Sequence, residues 1–449
     1  MAFRIPHSAF RIAFARLRDK LRHPWFIALL FITAIPFFPE YAVPFLAAGG
    51  VISAYYDAKS RHRAFAIGPL GKILLVFIAY QIIELTYTRT LADSVANILM
   101  WIVCFLVYLT AVTVLTNRKR LETAFFCVSL VAGVVGLIGC VMYGSYMLGG
   151  PPWMQFWAWL DGPFYRLVSF FGVDIAVTGV RASSTFTNPN ILGEYAVMAA
   201  PFLTYYAFSG NRAKGRILCR FCLIFLVGAV AFSFSRGGYL GLLLMALVFA
   251  FANIRKILAM ILSLCAVVVL IPPTVLQRFM TVGGLDFATV ERMNVWYTCL
   301  GAISKNPIFG TGPGVDYIWK VLNNAGINAP HAHNLILELL VEGGIVGLGI
   351  MAYLGYRALR NSVELISGRD TRREGVPFVA FAAAFFASAM VEYSFLSPKL
   401  LAFFMLAMAL LDVTCRLRLP HREVTWSAAN AARKLKQRRA AVRLLHKKM

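Results

Sequence analysis

The stretch HAHNLILELLVEGGIVGL, residues 331–348, joins a polar His-x-His-Asn head directly to an apolar segment. Mostly hydrophobic residues continue beyond it to about residue 357. A helix of about 20 residues spans the hydrocarbon layer of a membrane, and this segment is long enough to form one. The stretch therefore predicts a transmembrane helix that begins with two imidazoles and an amide.

The composition of the whole chain predicts an all-α polytopic membrane protein. Of its 449 residues 59% are hydrophobic, and the mean hydropathy is +0.70, whereas only about half of a soluble domain is apolar. We predict twelve transmembrane helices, at about residues 25–38, 41–56, 69–87, 95–116, 122–147, 189–208, 217–234, 238–254, 256–273, 334–357, 376–396 and 398–415. The simplest interpretation is one integral membrane domain, residues 25–415.

The net charge of +24 is distributed unevenly along the chain. With the N-terminus in the cytoplasm, most of the 44 Lys and Arg residues fall in the cytoplasmic segments, which are residues 1–24, 57–72, 117–122, 210–220, 253–256, 357–374 and 412–449. This positive-inside pattern predicts that both termini are cytoplasmic and argues against nucleic-acid binding. The basic N-terminus (1–24) and the basic tail (416–449) flank the membrane domain, and we expect the tail to lie on anionic lipid.

Two longer segments are predicted on the outer side of the membrane. Residues 148–188 contain three Trp and several Phe, which favours a position at the membrane interface. Residues 274–333, between the ninth and tenth predicted helices, are too long for a simple connection and are expected to be functional. Within them, residues 287–304 predict an amphipathic helix, and residues 315–326 predict a second, shorter one.

Several basic residues are predicted at this outer surface: Arg181, Arg236, Arg292, His331 and His333. Arg236 follows Ser235 and interrupts the apolar run AFSFSRGGYLGLLL. An arginine at membrane depth is costly unless it is paired or lies in a wet cavity, and it is functional by default. The alternative is an arginine whose side chain reaches back to the lipid headgroups.

The other two arginines are candidate anion ligands as well. Arg292 shares a helical face with Trp296, although it could instead pair with Glu291 on an exposed helix. Arg181 stands among Ser, Thr and Asn residues, including Asn190, that can donate to anionic oxygens; the alternative is a headgroup anchor. Guanidinium groups bind phosphate oxygens bidentately, so the three arginines together favour a phosphorylated lipid as substrate.

His333 is a candidate general base, because we expect it in the first turn of the tenth transmembrane helix. The positive end of a helix disfavours an imidazolium, and a neutral imidazole is a competent base near pH 7. Asn334 would orient the imidazole ring or a substrate hydroxyl. The alternative is a structural cap at the membrane interface.

A metal site and a nucleotide substrate are both disfavoured. His331 and His333 could form a metal pair, but a pair needs further ligands, and the candidates are Asp286, Glu291 and Asp316. We therefore expect no metal and no other cofactor. The chain has neither an Asp-x-Asp motif nor a Walker A motif, so we expect no nucleotide partner.

Five features resemble the O-antigen ligase and O-antigen polymerase superfamily of lipid-linked glycan transferases. They are VRASSTFTNPN (180–190), FSFSRGGYLG (232–241), ERMNVWYTCLGAISKNPIFGTGPG (291–314), HAHNLILELLVEGG (331–344) and the layout of twelve transmembrane helices. The most specific element is His-Asn, nine residues, and then Gly-x-x-Gly, which is similar to the ligase signature. In this chain it consists of His333, Asn334, Gly344 and Gly347. The similarity covers roughly residues 70–415.

The resemblance implies a GT-C-like fold and an inverting, metal-independent glycosyltransferase at the periplasmic face of the bacterial inner membrane. The donor would be a glycan on undecaprenyl diphosphate, and the acceptor would be a sugar hydroxyl of lipid A-core. By similarity His333 would be the base, and Arg236 and Arg292 would clamp the diphosphate. The further substrate-binding candidates are Arg181, Asn334, His331, Trp296, Ser235 and Asn190.

Three alternatives to a ligase follow from the same sequence. A polymerase of this superfamily would use the same parts to extend the glycan on its lipid carrier. A transporter would show an inverted repeat and charges at mid-membrane, whereas the charges here cluster near the outer surface. A scaffold protein would tolerate the loss of all three arginines.

Overall fold

The computed structural model of the protein describes residues 20–149, 181–209, 213–252 and 287–419. These residues are mostly helical, and no strand occurs among them. The predictions for the ninth span (256–273), for most of the segment 148–188 and for most of both basic termini lie outside the described residues.

Thirteen α-helices occur in the described ranges. They are α1 Pro24–Ala34, α2 Val43–Ser60, α3 Pro69–Glu84, α4 Leu91–Val114, α5 Arg118–Gly149, α6 Pro189–Ser209, α7 Ala213–Ser233, α8 Arg236–Ala252, α9 Phe287–Ile303, α10 Asp316–Asn324, α11 Leu335–Ser367, α12 Arg372–Ala389 and α13 Pro398–Arg418. Short 3₁₀ turns at Ile35–Phe37, Glu40–Ala42 and Ser394–Leu396 complete the described elements.

Eleven of the predicted spans coincide with helices α1–α8 and α11–α13. In the described part of the chain, five helices are long and apolar enough to cross a membrane: α4, α11 and α13, together with Arg118–Ser145 of α5 and Gly215–Ser233 of α7. The described part of the protein is thus all-helical, with the apolar helices of a multi-pass membrane protein. The number of twelve spans and their orientation remain predictions.

The core of the bundle is built around α13. Every residue of α13 from Lys399 to Cys415 is buried, and the helix packs against α3, α4, α5, α6, α11 and α12. A helix that is apolar on all sides can face either lipid or other helices, and the burial of α13 on every side shows that other helices surround it. The C-terminal span is therefore the central element on which the other helices converge.

Buried polar pairs fix the end of the bundle at which α2, α4 and α13 end and α3 and α5 begin. We call it the basic end. Arg120 Nη1 donates to Asp57 Oδ2 at 2.8 Å, and both side chains are almost fully buried. Asp412 of α13 accepts hydrogen bonds from Tyr108 Oη at 2.6 Å and from the first-turn amide of α3 at 3.0 Å. Because an unpaired charge in the interior is strongly destabilising, these partners hold the helix ends in register.

α11 is interrupted at Gly344, which has φ +58° and ψ −160°. A residue with a side chain rarely adopts this backbone conformation, and a Cβ at this position would lie 2.3 Å from the carbonyl oxygen of Ile308. On the α3 side, a Cβ at Gly343 or Gly347 would lie 3.3 Å from the ring of Tyr80. The Gly-x-x-Gly element therefore serves both a break in the helix and close packing on α3.

The segment 306–314 fills the break in α11. Its Thr311 and Gly312 amides donate to the carbonyl oxygens of Val341 and Glu342 at 2.9 to 3.0 Å. Gly310, Gly312 and Gly314 all have positive φ, and a Cβ on any of them would lie 2.1 to 2.3 Å from a neighbouring atom. The GTGPG stretch (310–314) is thus a tightly fitted loop whose three glycine positions admit no other residue without strain.

We predict that Gly344→Ala destabilises the protein by about 1–3 kcal/mol from backbone strain alone, with a further loss as Ile308 is displaced. The control is Gly349→Ala in the same helix, where a Cβ would meet nothing within 4 Å. The control substitution should leave the midpoint of thermal unfolding unchanged or raise it, since alanine is a better helix former than glycine by about 1 kcal/mol. Thermal unfolding in detergent measures both, and equal midpoints would contradict the role given to Gly344.

Candidate functional site

The predicted site residues lie at the end of the bundle opposite the basic end, which we call the site end. Helices α6, α8, α11 and α13 begin there, and α7 and α12 end there. The N-terminal ends of helices carry partial positive charge and unpaired amides, so several such ends in one place favour a negatively charged ligand.

Residues 331–334 form a turn ahead of α11, which we call the histidine turn. Asn334 is the N-cap: its Oδ1 accepts from the amides of Ile336 and Leu337 at 2.9 and 3.1 Å, and its Nδ2 donates to the Met390 carbonyl at 3.0 Å. His333 precedes this cap with φ +48°, so it lies outside the first helical turn in which we expected it. Because Asn334 is fixed as the cap, the adjacent His333 is held just ahead of the helix.

Two further contacts secure the same turn. The Ala332 amide donates to Glu338 Oε2 at 2.6 Å, and the Ala332 carbonyl accepts from Trp296 Nε1 at 3.1 Å. Trp296, a predicted substrate contact, thus lies on α9 and binds the histidine turn in this structure. The long loop before α11 is connected to the site through this indole.

Glu392 is the residue to which the two imidazoles are bound. It lies in the turn after α12 and is 9% exposed. Its Oε1 is 2.9 Å from His333 Nδ1 and 3.3 Å from His331 Nε2. His331 Nδ1 in turn accepts the His333 backbone amide at 3.1 Å. One carboxylate oxygen therefore orients both rings.

These hydrogen bonds define the tautomers of the two histidines. Because His331 Nδ1 accepts an amide hydrogen, its own proton is on Nε2 and points to Glu392. Because Glu392 as a carboxylate can only accept, His333 donates from Nδ1, so that a neutral His333 imidazole has its lone pair on Nε2. His333 thus has the tautomer of a general base, with 24% of its side chain exposed.

The charge states follow from burial and from the neighbouring charges. Burial is the main cause that lowers the pKa of His331 to about 4. Electrostatic interactions with His333 and Arg292 act in the same direction, and the interaction with Glu392 acts in the opposite direction. Burial alone would raise the pKa of Glu392, but the hydrogen bond from His333 and the electrostatic interactions with His331, His333 and Arg292 lower it below its usual range. At neutral pH the site therefore holds a neutral His331 beside an ionised Glu392.

The start of α6 joins the site through Asn190 and Arg181. Asn190 Nδ2 donates to the second oxygen of Glu392 at 3.2 Å, and Asn190 Oδ1 accepts from Arg181 Nη2 at 2.6 Å. Arg181 Nε also donates to the Ser233 carbonyl at 2.8 Å. Two predicted substrate-binding residues are therefore in hydrogen-bonded contact with the histidine–glutamate cluster.

The other two arginines flank the same cluster. Arg292 on α9 is close enough for its charge to act on both His331 and Glu392. Arg236 is the exposed first residue of α8, and a Cβ on the next residue, Gly237, would lie 2.7 Å from Val391, the neighbour of Glu392.

Ser235 precedes Arg236, and its hydroxyl accepts the Gly238 amide of α8 at 3.2 Å. This contact is the N-cap of α8, so the buried hydroxyl fixes the point from which Arg236 projects. The roles predicted for Ser235 and for the other site residues remain predictions.

The two imidazoles and Glu392 also have the donor atoms of a metal site, since their ligand atoms all lie within 4.8 Å of one another. The hydrogen bonds do not fit this use. A neutral imidazole that binds metal through Nε2 carries its proton on Nδ1, but Nδ1 of His331 faces the amide hydrogen of His333. Of the expected further ligands, Asp316 faces Lys320 at 3.6 Å, and Asp286 lies outside the described residues.

Sequence reasoning missed the acidic residues of the site. Glu392 fell inside the predicted span 376–396, whose last part is a turn in the structure, because α12 ends at Ala389. The next two residues also contact buried acidic side chains. Tyr393 donates to Glu342 of α11, and Ser394 donates to Glu194 of α6, both at 2.9 Å. The sequence did contain a signal for Glu392, since an ionisable residue within an apolar segment is a functional candidate.

Comparison with known protein families places one match on this part of the chain. Residues 221–352 match the family model described as O-antigen ligase. The matched stretch contains Arg236, Arg292, His331, His333 and Asn334, but neither Arg181 nor Glu392. A comparison with curated protein sequences finds no match. The family match supports the assignment that the motifs indicated, to the O-antigen ligase and polymerase family, and with it an O-antigen ligase- or polymerase-type function on lipid-linked glycans.

We predict that acid destabilises the protein through His331. Its pKa is about 4 in the folded protein against an ordinary 6.5, so the unfolded chain binds the proton more readily, and stability falls as the pH drops from 6.5 towards 4. His331→Gln should flatten this slope, because glutamine does not titrate. Thermal midpoints measured across this pH range test the prediction.

The matched control is His23→Gln, an exposed histidine at the basic end. It should leave the slope unchanged. The same slope for the wild type and for His331→Gln would contradict a buried, neutral His331.

Proposed function

We propose that this protein is an inverting, metal-independent glycosyltransferase that acts at the periplasmic face of the bacterial inner membrane. It transfers a glycan from undecaprenyl diphosphate to a sugar hydroxyl of lipid A-core, as an O-antigen ligase does. The observation that carries the proposal is the hydrogen bond from His333 Nδ1 to Glu392. This bond leaves the His333 Nε2 lone pair to accept a proton and places a carboxylate to stabilise the imidazolium that forms.

The reaction is a single displacement at the anomeric carbon of the donor. The acceptor hydroxyl loses its proton to His333 Nε2 while its oxygen attacks from the side opposite the diphosphate. The bond between the anomeric carbon and the phosphate oxygen breaks, and the electron pair leaves with undecaprenyl diphosphate. Inversion follows from this geometry, and the step needs no nucleotide.

Arg181, Arg236 and Arg292 would stabilise the leaving diphosphate. Charge develops on the phosphate oxygens in the transition state, and preorganised cations at that position lower the barrier. The arginines come from three separate elements, the loop before α6, the start of α8 and helix α9. Their common neighbourhood around Glu392 supports one diphosphate site rather than three unrelated headgroup anchors.

The alternative within the same family is a polymerase whose acceptor is a second lipid-linked glycan. The site chemistry is the same in both cases, because each acceptor is a sugar hydroxyl and each leaving group is undecaprenyl diphosphate. A reconstitution with purified protein distinguishes them, using the lipid-linked glycan, lipid A-core and EDTA. Glycan on lipid A-core supports the ligase, longer lipid-linked chains from donor alone support the polymerase, and neither product from a folded protein contradicts both.

We predict that His333→Gln lowers the transfer rate by about 10²–10⁴-fold, the usual contribution of a general base. Glu392→Gln keeps the shape but removes the charge that stabilises the imidazolium, so it should lower kcat by a smaller factor. His23→Gln at the basic end is the matched control. Full transfer by a folded His333→Gln variant would refute the assignment of the base.

We predict that Arg236→Lys and Arg292→Lys raise the KM for the donor, because an ammonium group cannot reproduce the bidentate guanidinium contact with phosphate. Arg360→Lys, an exposed arginine of α11 towards its far end, is the control. Steady-state kinetics with varied donor measure the effect. Donor KM values equal to that of the control would remove these arginines from the diphosphate site.

A further inference from the structure

The segment Pro307–Phe309 lies far along α11 from the point where that helix begins. The amides of Ile345 and Val346 donate to the carbonyl oxygens of Pro307 and Ile308 at 2.9 and 3.2 Å. Ile345 is ten residues after Leu335, which corresponds to about 15 Å of helix. The segment belongs to the long outer loop of the sequence, yet it runs alongside the helix well below the histidine turn.

The far end of α11 shows how deep this position is. Arg357 donates to Tyr353 at 3.0 Å, and Tyr353 and Tyr356 are exposed. Arginine and tyrosine mark the interface of a spanning helix, and Ile345 lies twelve residues before Arg357, or about 18 Å. Since the hydrocarbon layer is about 30 Å thick, Ile345 lies within that layer.

The three carbonyl oxygens of the segment all accept hydrogen bonds from protein groups. Besides the two amides of α11, the Phe309 carbonyl accepts from Tyr87 Oη at 2.9 Å, and the Gly343 carbonyl freed by the break accepts from Tyr80 Oη at 2.8 Å. Non-helical backbone is tolerated at membrane depth only when protein groups replace the missing water. Two tyrosines of α3 and its following turn supply those groups here.

The apolar side chains of the segment are exposed at the surface of the protein. Ile308 is 54% exposed and Phe309 56% exposed, and the neighbouring Ile345 of α11 is 64% exposed. Ile345 is on a helix that is apolar enough to span the membrane. An apolar patch that continues the outer surface of a spanning helix at this depth matches the acyl chains of the lipid.

We infer that Pro307–Phe309 is a re-entrant element, inserted in the outer leaflet and held in the break of α11, with Ile308 and Phe309 in contact with lipid acyl chains. The element continues directly into Thr311 and Gly312, which bind the backbone of α11 at Val341 and Glu342. The surface that contacts lipid and the helix that presents His333 therefore share one rigid backbone. The inference depends on the geometry of the break and not on the reaction proposed above.

The test places 4-(trifluoromethyl)phenylalanine at position 309 of the full chain in phosphatidylethanolamine–phosphatidylglycerol nanodiscs. Fluorine relaxation is then measured with dissolved oxygen, which concentrates in the hydrocarbon, and with a water-soluble gadolinium chelate. Matched labels replace Ile52, an exposed residue in the middle of α2, and Asn324, an exposed residue at the end of α10. They serve as the lipid and water references.

We expect the label at position 309 to respond as the Ile52 label does, with strong relaxation by oxygen and little by gadolinium. A second label at Ile308 should give the same result. A response at position 309 like that of the Asn324 label would overturn the inference and place the segment in water above the membrane.

Discussion

A backbone amide or carbonyl that leaves a helix needs another hydrogen-bond partner, and the site end of this protein is built around that constraint. The break of α11 at Gly344 frees carbonyl and amide groups. The loop 306–314 binds those of Val341, Glu342, Ile345 and Val346, and Tyr80 donates to the Gly343 carbonyl. The loop fits only because three of its glycines have positive φ. As a result the upper part of α11, with Glu338 and Glu342, is held by protein contacts along its whole length.

The histidine turn inherits its rigidity from this arrangement. Asn334 caps α11, Glu338 holds the Ala332 amide, and Trp296 holds the Ala332 carbonyl. His333 is left with few conformations, and Glu392 selects one of them together with its tautomer. For the base proposed at His333, a ring orientation fixed before the substrate arrives means that no such freedom is lost during the reaction.

The turn between α12 and α13 connects the parts of the site. Its residues Glu392, Tyr393 and Ser394 contact the histidine turn, α11 and α6 in succession. α13 then continues as the buried centre of the bundle, so the carboxylate that orients both imidazoles is anchored to the most enclosed helix. Polar contacts of this density at one end of an otherwise apolar bundle are expected where a charged substrate group is handled, because each buried polar group must be satisfied.

The sequence by itself determined the apolar helical class and eleven helix positions, and it drew attention to the basic residues that lie at the site end. These depend on local hydrophobic runs and on charges that are conspicuous within them, and both are visible along the chain. Only the tertiary structure decided that Asn190 joins Arg181 to Glu392, that Glu392 orients both rings, and that His333 precedes the cap of α11. The partners in these contacts are separated by up to about 200 residues, and such pairings are set by how the helices pack. For the same reason the structure identified the GTGPG stretch as the filling of a helix break, because its fit depends on Gly344, thirty residues further along the chain.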